Sequence, residues 1–288
     1  MEIARKSIFD LERRCNLLEE YNQIETDLKS TFVDKRNLVW ALDRCIRTWP
    51  YRQGATDIES FASSHGFSAF NDSSEVDILL TLELLINLLY WAPYYEKQCA
   101  GPFSLSLGEE SAIEKECTRC IQNIEYLLER INMRIREKEL PQFSQYVISK
   151  RDTHVDAAIE AIPQLSDVLL SYLDVRNQKD EEAKKAILRA IADYLEQKRK
   201  DGKYKGTPYN SLCEDLFAVF NNASIRHKNN KQWKLRKPER IKLYDKTFNA
   251  AIHLLQKEDV DAFQAEVKRM KESLAAGDGS KCSDKTPK

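Results

Sequence analysis

Residues 76–95 read VDILLTLELLINLLYWAPYY, the longest apolar run in the chain. Its length is near the roughly 20 residues that a membrane-spanning helix needs. Asp77, Glu83 and Asn87 interrupt the run, and Pro93 stands near its end. A helix that is apolar on nearly all sides yet carries these groups belongs inside a protein core. Asn71–Ser74 is a capping cluster in front of it, with Ser73 or Ser74 ahead of Glu75 and Asp77.

The same helical grammar extends in both directions. Upstream, Met1–Lys29 carries Tyr21, Ile24 and Leu28 on one stripe. Asp34 is a candidate N-cap for a helix that ends at Trp49-Pro50, and Thr56–Ser64 is a short helix stopped at His65-Gly66. Downstream, Ile113, Cys117, Ile121, Ile124, Leu128, Ile131 and Ile135 predict one long helix over Glu109–Glu139. Tyr146-Val147-Ile148 is aromatic and β-branched, so it suits an extended junction. Helices are then expected over Thr153–Ala161, Gln164–Leu173 and Asp180–Lys200, and over a segment to Phe220 capped by Asn210 or Ser211. Two more follow over Pro238–Gln256 and Asp259–Ala275.

Composition agrees with this pattern. Of 288 residues, 42% are apolar and 32% charged, with only 8 Gly and 8 Pro to break helices. The expected architecture is all-α, with helical subdomains over 1–145 and 146–276 and a disordered tail over 277–288. A net charge of −1 argues against a polyanion binder over the whole surface, but not against a local basic patch. Met1–Arg14 is charged and amphipathic rather than signal-like, and the seven cysteines are scattered. A cytoplasmic chain with free thiols and no membrane partner is expected.

Few motifs carry chemistry. Cys117-Thr118-Arg119-Cys120 has CxxC spacing but lies inside a helix with no second ligand pair, so two packed thiols are expected. No Walker loop, dinucleotide fingerprint, HExxH or GxSxG occurs, and no metal or cofactor is expected. Of the four histidines, His65 falls in a loop and His154 near a helix start beside Asp152 and Asp156. His253 reads as a structural histidine among core residues.

His227 stands in the one reactive cluster, Asn221-Asn222-Ala223-Ser224-Ile225-Arg226-His227-Lys228-Asn229-Asn230. A metal-independent ribonuclease needs an acid/base near neutral pKa and a cation on the phosphate. His227 and Arg226 are residues of those types, with Asn221, Asn222 and Asn229 able to orient them. Arg226–Lys242 holds eight Lys/Arg against Glu239 alone, with Trp233 among them. That interleaving suits a nucleic-acid surface, for which Asn222, Lys228, Asn229, Lys231, Trp233, Lys234 and Arg236 are the candidates. The same residues also make an ordinary helix end and charged loop.

From Asp180 to Asn230 the order of features resembles a HEPN-type domain, as in bacterial abortive-infection proteins. The resemblance rests on Ala183–Glu196, a small-residue helix ending in Leu195-Glu196, then a basic loop, the helix Leu212–Phe220 and Ile225-Arg226-His227. It is confined to the C-terminal half. It implies a HEPN-like helical bundle, a homodimer, an RNA partner and an antiphage effector that cuts RNA by 2′-hydroxyl attack. Carried over, Arg226 would hold phosphate and His227 would be the acid/base. The family pattern separates the two residues, whereas here they are adjacent, about 100° apart on a helix. Either the helix ends before them, or the chain binds RNA without cutting it. A non-catalytic interaction or regulatory protein is the alternative.

Overall fold

The computed structural model describes residues 16–30, 32–33, 36–70, 74–99, 112–140, 143–226 and 232–278. The fold is predominantly helical, with ten α-helices and two short hairpins among the described residues. The chain divides into two compact units. One runs up to Arg151 and includes Asp174–Arg176, and the other comprises Asp152–Leu173 and the chain from Asn177 onward.

In the first unit, α1 (Leu17–Ser30) buries Tyr21, Ile24 and Leu28. The two-residue strands β1 (Phe32–Val33) and β2 (Arg36–Asn37) pair antiparallel. Helix α2 (Leu38–Cys45) starts at Asn37, whose side chain accepts from the Trp40 N–H at 2.9 Å. Asp34, expected in that role, lies outside the described residues. Helix α3 (Ile58–Ser64) opens with a capping box between Asp57 and Ser60 and stops at His65-Gly66, where Gly66 takes φ +77°.

Helix α4 (Glu75–Cys99) contains the opening stretch. Ser74 Oγ accepts from the Asp77 N–H at 3.1 Å. Leu82, Leu85, Ile86, Leu88 and Leu89 are fully buried in the unit's core. Glu75–Lys97 would also be long and apolar enough to cross a membrane. Pro93 lies within the helix rather than ending it, although it has no N–H for the carbonyl of Leu89.

Helix α5 (Ala112–Arg130) is shorter than its periodicity predicts. Asn132 takes a left-handed φ of +60°, which stops the helix. Met133–Lys138 then forms β3, paired antiparallel with β4 (Gln145–Lys150) from Met133↔Lys150 to Lys138↔Gln145. The edge of β4 not paired with β3 is covered by α4. Glu83 Oε2 accepts from the Ile148 N–H at 2.7 Å, and the Asn87 amide bonds both Tyr146 N–H and Tyr146 C=O. The polar residues of the apolar helix therefore close a strand edge.

In the second unit, Asp152 caps α6 (Thr153–Ala161) and Asp180 caps α8 (Glu181–Lys200), with α7 (Ser166–Leu173) between them. Helix α9 (Asn210–Asn222) has Tyr209 at its N-cap. Asn210 lies in the first turn instead, where its amide donates to Glu214 at 3.0 Å. Helix α10 (Lys237–Asp278) is continuous where two helices were expected, since Lys257-Glu258 holds no breaker between them. Gly277 and Asp278, read as the start of the tail, complete this helix, and 279–288 lie outside the described residues. Leu169, Leu188, Ile191, Leu195, Phe220, Tyr244, Phe248 and Ile252 form the core.

Candidate functional site at the end of α9

Helix α9 buries Cys213, Leu216, Phe217 and Phe220, and this apolar face fixes where the reactive cluster begins. After Asn222 the chain turns. Ser224 takes φ +64°, a conformation that costs a non-glycine residue about 1 kcal/mol. Ala223 and Ile225 are buried, the Arg226 N–H donates to Phe220 C=O at 3.0 Å, and the Tyr244 hydroxyl donates to Ala223 C=O at 3.0 Å. The turn is thus packed from both sides.

Arg226 is only 13% exposed at its side chain. Its Nη2 donates to Glu196 Oε2, and its Nε lies 3.5 Å from Asp193 Oδ1. The guanidinium carbon sits 5.9 Å from the centroid of Phe217, and the Arg226 carbonyl accepts from Arg189 Nη2 at 2.7 Å. Arg189, Asp193 and Glu196 are spaced four and three apart, so one face of α8 receives the turn. The hydrogen bond from Arg226 is the largest cause holding the Glu196 carboxyl below its ordinary value.

Of the other candidates, the Asn222 side-chain amide donates to Ala218 C=O at 2.9 Å, while the Asn222 backbone carbonyl accepts from the Trp233 backbone N–H at 2.8 Å. Trp233 is 45% exposed. Lys234 and Arg236 are exposed. Arg236 pairs with Glu239 at 2.8 Å, and the Glu239 carboxylate also accepts from the Arg236 backbone N–H, a bond that starts α10. Arg240 grips Glu181 through Nε and Nη2 at 2.6 and 3.1 Å. His227, Lys228, Asn229 and Lys231 lie outside the described residues.

What the arrangement can do follows from these contacts. Because α9 stops at Asn222, the chain at Arg226 is not helical, and helical spacing does not govern the Arg226-His227 pair. The two carboxylates beside Arg226 already offset its charge and would oppose a phosphate there. Asp193 and Glu196 were not singled out from sequence. Their only signal was acidic residues on α8 in step with a later arginine.

The remaining sequence candidates lie elsewhere. His65 stacks on Phe61 with ring centroids 4.0 Å apart. His253 is exposed rather than enclosed by the core, because it falls on the outward side of α10, with its ring centroid 5.6 Å from that of His154. Cys117 and Cys120 are buried and free, and burial pushes both thiols up, Cys120 to about 11. Among the described residues no group of three or more His, Cys, Asp or Glu could hold a metal ion. Comparison with protein families, with curated proteins and with solved structures gave no match in any of the three.

Proposed function

We propose that the second unit binds single-stranded RNA through the basic segment around Trp233, and that binding rather than strand cleavage is its activity. The observation that carries this reading is Trp233, a large aromatic left 45% exposed among the exposed cations Lys234, Arg236 and Lys237. Its backbone bond to Asn222 ties the segment to the end of α9, so the backbone that carries the ring needs little ordering before a base can stack. Among the described residues Arg236 is held only by a surface pair with Glu239, which a phosphate can displace. Arg226, in contrast, is engaged by two carboxylates, which favours a role in holding the turn.

The test is fluorescence anisotropy of a labelled, unstructured oligoribonucleotide over a salt series. Three phosphate contacts give a slope of about −2 in log K against log salt. Trp233→Ala should weaken binding about 5- to 100-fold, the range expected for one stacked base. No binding at low salt ends the proposal. Cleavage of the same oligonucleotide, lost in His227→Ala, would replace it with the nuclease reading.

A further inference from the structure

A second feature lies in the first unit and does not depend on RNA binding. A cavity of about 510 Å³ opens beside α4, within the usual range of small-molecule sites.

One side of it is aromatic. Trp49, Tyr51, Phe61 and Phe67 line the wall, and Trp49 meets Phe61 at 5.3 Å and Tyr51 at 5.9 Å between centroids. Trp49 is 2% exposed, and its Nε1–H is buried without an acceptor. The other side is polar, but most of its groups are already engaged. Glu83 is 8% exposed at its side chain, with one oxygen taken by the Ile148 N–H at 2.7 Å and the other by Arg176 Nη2 at 2.6 Å. The Asn87 amide is committed to Tyr146 and to Glu83 C=O.

Arg176 differs from these. It lines the cavity, its side chain is 38% exposed, and it holds Glu83 through Nη2. A guanidinium has five N–H donors, and Nε and Nη1, which meet no acceptor among the described residues, remain for a second one. Asp174, which also feels Arg176, is held by Arg136 at 2.9 Å, so its charge is met without a hydrogen bond from Arg176.

We propose that this cavity binds a small planar aromatic anion, its ring along the aromatic wall and its carboxylate or phosphate on Arg176. The guanidinium of Arg176 selects the charge, and the aromatic wall selects the flat body. Two sources share this chemistry, an aromatic carboxylate and a nucleoside monophosphate.

The experiment is isothermal titration of the full chain with indole-3-carboxylate and with AMP. Their neutral counterparts, indole-3-carboxamide and adenosine, are run beside them. At least one anion should bind below millimolar, at least tenfold tighter than its neutral counterpart, and the better anion identifies the source. Arg176→Gln alone would strand a buried carboxylate, so the variant is Glu83→Gln with Arg176→Gln. It should bind anion and neutral compound equally. Leu80→Phe, which adds bulk at the cavity wall, should lose both. Absence of anion binding in the wild type overturns the proposal. So does a tenfold preference that survives in the double variant. If the double variant does not fold, Leu80→Phe decides, and undiminished binding there is equally fatal.

Discussion

Arg226 on the turn after α9 donates through Nη2 to Glu196 on α8, so a charge pair closes the end of one helix onto another. Because the Glu196 carboxyl is held below its ordinary 4.5, it binds its proton more weakly in the folded chain than in the unfolded one. The pair's contribution is complete above pH 4.5 and is lost as the pH falls through the lower folded value. Glu196→Gln should lower the thermal midpoint at pH 7 and flatten the acid side of the stability profile. Melting curves between pH 7 and 3 check this, and identical acid limbs would contradict it.

Glu83 behaves in the opposite sense. Burial raises its carboxyl above 4.5, against the pull of Arg176 and the Ile148 N–H. Its protonated form is therefore favoured by folding, and stability falls as pH rises from 4.5 through the folded value. Glu83→Gln should reduce that decline, to which the buried Asp174 carboxyl also contributes, as urea titrations between pH 4 and 8 would show. Glu83→Ala should cost about 1–3 kcal/mol, since it leaves the Ile148 N–H buried without an acceptor.

Phe248 is 1% exposed and stacks on Tyr172 with centroids 3.9 Å apart and planes 4° from parallel. Phe248→Ala should cost about 3–5 kcal/mol by opening a cavity where α7 and α10 meet. Hydrogen exchange should accelerate in α7, α8 and α10 and leave α4 and α5 unchanged. Equal acceleration in α4 would mean that the two units unfold together.

Cys45, Cys117, Cys120 and Cys213 are buried thiols outside any disulfide. Burial is the largest cause raising Cys117, Cys120 and Cys213, so little thiolate exists near neutral pH. Iodoacetamide should leave these four cysteines unmodified in the native protein and label them in urea. Peptide mass spectrometry reads the outcome, and rapid native labelling of Cys117 or Cys120 would refute the packing described for α5.

Much of the candidate site was legible because it depends on local chemistry. The crowding of Asn222, Arg226 and Trp233 is visible in the order of residues, and so is the end of α9. The engagement of Arg226 was not visible. Asp193 and Glu196 lie thirty or more residues earlier and reach it only because the apolar stripes of α8 and α9 dock. Arg176 gave no signal either, standing alone between α7 and α8.

The sequence by itself determined the helices wherever a cap and an apolar period coincide, as at Asp152, Asp180 and the Asp57–Ser60 box. These are short-range effects that few neighbouring residues settle. Tertiary structure decided the rest. Ile131 and Ile135 fit a helical stripe, yet Met133–Lys138 is a strand, because Asn132 turns left-handed and β4 offers a partner ladder. Glu83 and Asn87 looked like polar interruptions of an apolar helix, and only the fold shows them closing the open edge of that hairpin. Backbone pairing and ion pairing across long stretches of chain depend on which surfaces meet, and no local pattern encodes that.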